Sequence, residues 1–158
     1  MPAPPRPVSD MVVTSVWLHQ GPAPLMVHRL KYRGDPLITG LVVARMAQLL
    51  PPTARSLVPI PRVTMRRWRY GVDPAAEIGL ALSARTGLPL FKALAAPLWW
   101  PHRAGRNRAG NGPPPLRWTR SAPAPVIVDD VVTTGETIKA AAHQLGNAVG
   151  AVTVTSSL

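Results

Sequence analysis

Apolar residues fall along the chain in short unbroken runs separated by stretches of helical period, and this alternation predicts strands and helices in turn. Met11 to Leu18 is rich in β-branched residues and predicts a strand, broken by Gly21, Pro22 and Pro24. Leu25 to Leu50 follows a helical pattern interrupted at Gly34-Asp35-Pro36; its second piece carries Leu41, Ala44 and Leu49 on a helical period and ends at Pro51-Pro52. Ser56 to Ile60 predicts a second, buried strand. Asp73 and Pro74 predict a helix start, as N-cap and first helical residue, with the helix running to Arg85 or Thr86 and stopped by Gly87. Leu88 to Leu94 and Pro97 to Trp100 have room for short strands, against the prolines at 89, 97 and 101. The run from Val126 is apolar without alternation, which predicts a strand buried on both faces, as in a parallel sheet. A helix from Ile138 to Leu145 follows, then a turn flanked by Gly146 and Gly150, then a last strand over Val152 to Thr155. Strands alternating with helices predict an α/β fold with a mostly parallel central sheet flanked by helices. The chain contains no internal repeat.

The length, 158 residues, suits one domain, taken as residues 11–158 behind a flexible Pro-rich arm at residues 1–10. Pro101 to Pro125 is the least ordered-looking part within it, with Gly105, Gly110 and Gly112 among basic residues and then Pro113-Pro114-Pro115. Hydrophobic residues make up 46% and aromatics only 5%, so aliphatic side chains must fill the core. The absence of cysteine excludes disulfides, thiolate metal sites and cysteine nucleophiles, and fits a cytoplasmic location. No segment reads as a signal peptide, and none approaches the roughly 20 apolar residues of a membrane span, so no membrane partner is expected. The formal net charge of +11, almost all from arginine, attracts polyanions: nucleic acid, anionic lipid or phosphorylated small molecules. A composition biased toward Ala, Pro and Arg is the alternative source of that charge.

Chemistry concentrates in Val126-Ile127-Val128-Asp129-Asp130-Val131-Val132-Thr133-Thr134-Gly135-Glu136-Thr137. Ligands of open α/β sheets bind outside the carboxyl ends of the strands. A small, hydroxyl-rich turn opening a helix offers N–H groups and Thr hydroxyls to a phosphate. A phosphate alone would not suit two adjacent carboxylates. A ligand with a phosphate at one end and a ribose diol at the other would, because carboxylate oxygens accept from both hydroxyls. After the Ser56 strand, Pro59 and Pro61 stiffen a loop that leads into Arg62, Arg66, Arg67 and Arg69; an ordinary solvated basic loop is the plainer reading. His28-Arg29-Leu30-Lys31-Tyr32-Arg33-Gly34-Asp35 reads as the end of a basic amphipathic helix followed by a turn. Neither a Gly-x-x-x-x-Gly-Lys-Ser/Thr loop nor a Gly-x-Ser-x-Gly elbow is present. His19, His28, His102 and His143 lack metal-ligand spacing.

The apolar run, Asp129-Asp130, two apolar residues and Thr133-Thr134-Gly135-x-Thr137 together resemble the phosphoribosyl-pyrophosphate motif of type I phosphoribosyltransferases. The chain from about Leu25 onward resembles the ComF branch, without its usual four-cysteine zinc ribbon. His28 to Asp35 is similar to that family's Lys-Tyr-x-Gly-Asp element. Val58-Pro59-Ile60-Pro61, with the following arginines and Arg69-Tyr70-Gly71, is similar to its first ligand loop. The resemblance implies a type I phosphoribosyltransferase-like fold and, as activity, transfer of a phosphoribosyl group to a base or amine with release of pyrophosphate. Asp129 and Asp130 would bind the ribose hydroxyls and, indirectly through them, Mg2+. Thr133, Thr134, Gly135, Glu136 and Thr137 would form the 5′-phosphate cradle, with Val131 and Val132 also among the ligand-binding residues. Pro59, Ile60 and Pro61 would face the pyrophosphate, with Arg62 and Arg69 stabilising its charge, and Pro101 to Asn111 would be the closing loop. The rival expectation, which the same resemblance supplies, is a non-catalytic phosphoribosyl-pyrophosphate sensor or an accessory of DNA uptake in competence, with DNA as the partner of the basic surface. The acceptor and the oligomeric state stay open, a homodimer included.

Overall fold

A computed structural model describes residues 2–33, 35–63, 71, 73–99 and 112–157. The elements in chain order are β1 (Arg6–Val8), β2 (Met11–Leu18), α1 (Ala23–Arg33), α2 (Pro36–Gln48), β3 (Ser56–Pro59), α3 (Pro74–Thr86), β4 (Leu94–Ala95), β5 (Arg117–Trp118), β6 (Pro125–Val132), α4 (Glu136–Leu145) and β7 (Gly150–Ser156). The fold is α/β. One sheet has the order β1-β2-β7-β6-β3, in which β2, β7, β6 and β3 run parallel and β1 is an antiparallel edge. β4 and β5 form a separate two-stranded ladder.

The sheet is buried on both faces because consecutive residues of its strands belong to two different cores. Leu57 of β3, Val126 and Val128 of β6, and Val152 and Val154 of β7 pack with Val27 and Leu30 of α1, Val42 and Met46 of α2, and Ile78 and Leu82 of α3. Val58, Ile127 and Ala151, the neighbours in sequence, pack on the other face with Ile138 and Ala141 of α4, Leu94 of β4 and Val8 of β1. Continuous apolar runs are therefore what this sheet requires.

Boundary chemistry sets the helix ends. Asp35 caps α2, its Oδ1 accepting from Leu37 N at 3.1 Å and Ile38 N at 3.4 Å, with Pro36 at the first helical position. Gly87 ends α3 in the left-handed conformation, φ +75°. Asp73 occupies the N-cap of α3 but makes no side-chain cap hydrogen bond, so the expected cap exists in position and not in chemistry.

Two segments differ from the sequence expectation. Arg6–Val8, inside the stretch expected to be a loose arm, pairs with β2 in the register Arg6↔Val13 and Val8↔Met11. A tight turn at Ser9 (φ 55°) and Asp10 permits this. In the stretch expected to be least ordered, Arg117 and Trp118 pair with β4, and Leu116 and Ala122 are buried. Among the described residues of the short-strand candidates, Leu94 opens a strand, Leu94–Ala95, and Leu90 makes a single bridge to Leu57. Among the described residues, no helix is long and apolar enough to cross a membrane.

Candidate functional site

Parallel pairing of β3 with β6 brings their carboxyl ends together. Pro59 lies opposite Val128, and Ile60 N donates to Val128 O at 2.9 Å, extending the ladder one step past β3. Asp129 and Asp130 are both half-buried. Asp129 Oδ1 accepts from Asp130 N at 2.8 Å. Alternation slips by one residue across the pair, since Val131 packs with the core of Val126 and Val128 and Val132 packs with that of Ile127. The pairing of β6 with β7 keeps one register through the carboxylates, with Asp129↔Thr153 and Val131↔Thr155.

Beyond β6 the chain turns at once into α4. Gly135 is the N-cap of that helix at φ +83°, a conformation that residues bearing a Cβ rarely adopt. A Cβ at Gly135 would also sit 3.1 Å from Val8 Cγ2 and 3.3 Å from Val8 Cγ1, so β1 fills the space beside the turn. Backbone conformation favours glycine here, and a Cβ would in addition press the Val8 side chain aside by a few tenths of an ångström. Lys139 N donates to Gly135 O at 2.8 Å, the first intrahelical bond, and Thr134 Oγ1 accepts from Glu136 N at 3.4 Å. Thr133, Thr134 and Glu136 are exposed, and Thr137 is half-buried. Glu136 lines a shallow groove with Pro113 to Leu116, Lys139 and Gln144. The arrangement is chemically a short anion cradle: exposed hydroxyls, N–H groups of a first helical turn and the positive end of the helix dipole.

Of the residues expected to bind ligand, Val132 and Ile60 are buried in the core and Val131 is half-buried against it. These three can offer a ligand only backbone groups. Pro59, Pro61 and Arg62 line a cavity of about 420 Å3, together with Asp73, Glu77, Lys92 and an apolar wall that includes Leu80, Leu90 and Leu94. Neither carboxylate of β6 nor any residue of the Thr turn lines it. The structure therefore unites Pro59, Pro61 and Arg62 in a cavity, and Thr133 to Thr137 in a turn, as neighbouring but separate features. Arg66, Arg67, Arg69 and Pro101 to Asn111 lie outside the described residues.

Several polar contacts at this end of the sheet carry no local sequence signal. Ser15 Oγ and Thr153 Oγ1 are 2.6 Å apart and buried; His19 Nδ1 and Thr155 Oγ1 are 2.9 Å apart. Thr153 lies opposite Asp129 in the β6–β7 ladder. Thr153 and Thr155 of β7 are fully buried. Arg6 Nη1 donates to Thr133 O at 2.7 Å, across 127 positions of sequence. Among the described residues, no group of three or more His, Cys, Asp or Glu is placed to hold a metal ion.

No protein-family model matches the chain, and no curated protein does.

Proposed function

We propose that this chain is a phosphoribosyltransferase-like protein of type I fold, similar to the ComF branch. It binds phosphoribosyl pyrophosphate with Mg2+ and transfers the phosphoribosyl group to a base or amine with release of pyrophosphate. One observation carries the reading: the half-buried pair Asp129-Asp130 at the end of a central parallel strand leads directly, through a left-handed Gly135, into the N-terminus of α4. Carboxylates and an anion cradle so close together suit one ligand that has both a diol and a phosphate.

In this reading the Thr133 to Thr137 turn holds the 5′-phosphate through backbone N–H groups and Thr hydroxyls. Asp129 and Asp130 accept hydrogen bonds from the ribose hydroxyls and so fix the sugar ring. The Pro59-Ile60-Pro61 exit of β3 is stiffened by its prolines and presents Arg62 toward the leaving group, where a guanidinium stabilises developing negative charge. Asp129 and Asp130 would help hold Mg2+ indirectly, through the ribose hydroxyls they orient, and the bound ion would supply charge neutralisation for the leaving pyrophosphate. Holding the reactants in one geometry supplies most of the rate in such a displacement.

Calorimetric titration of the wild type with phosphoribosyl pyrophosphate plus Mg2+, repeated on the Asp129→Asn/Asp130→Asn variant, tests this. Saturable binding that the variant loses is the expected result; equal binding by both, or none by the wild type, contradicts it. The net charge of +11 favours a second reading, a non-catalytic sensor or DNA-binding accessory. Pyrophosphate release that depends on an added base or amine separates the enzyme from the sensor, and DNA affinity that falls steeply with salt marks the accessory.

A further inference from the structure

The edge strand β1 touches the Thr turn at two points. Val8 occupies the space beside Gly135 that a Cβ would need, with its Cγ2 3.1 Å from that position. Arg6 Nη1 donates to Thr133 O at 2.7 Å, a length typical of a hydrogen bond with a charged donor. The second contact bears on how the turn presents its donors. Among the described residues no peptide bond is cis. In a planar trans peptide, the carbonyl of one residue and the N–H of the next point in opposite directions. Fixing Thr133 O on Arg6 therefore fixes Thr134 N–H to the opposite side of the same peptide unit. The guanidinium also lies at the negative end of that peptide dipole, which makes the N–H end a better anion donor.

We propose that Arg6 is a positioning residue of the phosphate turn: it clamps the Thr133 carbonyl so that the Thr134 N–H faces the bound phosphate, and lends its charge to that peptide. This rests on the reading of the turn as a phosphate cradle. It makes β1 part of the binding apparatus, although β1 contributes no atom to the motif itself.

Two measurements test the proposal on the full chain, using Arg6→Ala and Arg6→Lys. The first, on the ligand-free protein, is the 15N order parameter at Thr134 and Gly135. It is expected near the rigid-backbone value of about 0.85 in the wild type, below about 0.6 in Arg6→Ala, and largely restored in Arg6→Lys. The second is titration with ribose 5-phosphate, with affinity expected to fall about tenfold or more in Arg6→Ala and to recover in part in Arg6→Lys, as loss of a charged hydrogen bond implies. Unchanged order parameters in Arg6→Ala overturn the clamp whatever the ligand does. Equal ribose 5-phosphate affinity in the wild type and Arg6→Ala overturns the role in binding. If the wild type itself does not bind ribose 5-phosphate, the phosphate reading of the turn fails along with the binding role, and the order parameters still decide whether Arg6 holds the turn.

Discussion

The chain leaves β6 and β3 at neighbouring points on the sheet edge, and it does so on two different plans. After β6, carboxylates, hydroxyls, a left-handed glycine and a helix start follow one another in sequence, and the turn is held from outside by Arg6 and Val8. After β3, the chain offers two prolines and Arg62 to a cavity whose other walls come from α3, Lys92 and β4. The first plan encodes a site locally and depends on distant residues only for support. The second is assembled from distant residues, and its chemistry is shared between cations at Arg62 and Lys92 and carboxylates at Asp73 and Glu77. A ligand that needs both regions must span them, which suits a molecule with a phosphate at one end and a pyrophosphate at the other.

The largest effect should come from removing what the two regions share. Leu57 is fully buried under the β3–β6 pair, and its backbone also bonds Pro89 O at 2.9 Å and Phe91 N at 2.8 Å. Leu57→Ala is expected to cost about 2–5 kcal/mol, read as a shift in denaturation midpoint, and to weaken both regions together. Gly135→Ala should break the comparison on one side only. It forces φ +83° on a residue with a Cβ and crowds Val8, at about 1–2 kcal/mol. Ribose 5-phosphate binding should vanish in a titration, while the amide spectrum of Glu77, Lys92 and Leu94 stays as in the wild type. A smaller effect falls on the other side. Pro61→Ala loosens the β3 exit and is expected to cost about 0.4–1 kcal/mol, mostly through the unfolded chain; affinity for pyrophosphate should drop while that for ribose 5-phosphate holds.

The smallest effect is expected at Asp73 in the cavity wall, with Asp35 as its reference. Asp35→Ala removes two cap bonds and should cost about 1 kcal/mol in a melting curve. Asp73→Ala should cost less than about 0.5 kcal/mol, because no cap bond is lost. Among the described residues Asp73 Oδ1 is buried with no hydrogen-bond partner, and Asp73 lines the cavity.

The difference between the two plans also explains what the sequence could reveal. The parallel strands were legible because burial on both faces leaves unbroken apolar runs such as Val126-Ile127-Val128. The helix ends were legible from Asp35-Pro36, Pro74 and Gly87. The Asp129 to Thr137 stretch was legible as a candidate site because its parts are contiguous. β1 was not, since Arg6-Pro7-Val8 is too short and too Pro-rich to read as a strand, and its pairing depends on the turn at Ser9 and Asp10. Arg6 and the cavity were not legible either, because their contacts join residues far apart in the chain. The last strand was legible over Val152 to Thr155, but the burial of its two threonines was not, because it depends on hydroxyl pairing with the distant Ser15 and His19.

The central claim is that the turn after β6 holds a phosphorylated ribose. Amide chemical-shift mapping during titration with phosphoribosyl pyrophosphate plus Mg2+ tests it most directly. The account predicts saturable shifts led by Thr133, Thr134, Gly135 and Thr137, joined by Asp129, Asp130 and Arg62. Shifts confined to the cavity residues Glu77, Lys92 and Leu94, with the Thr turn unmoved, would contradict it.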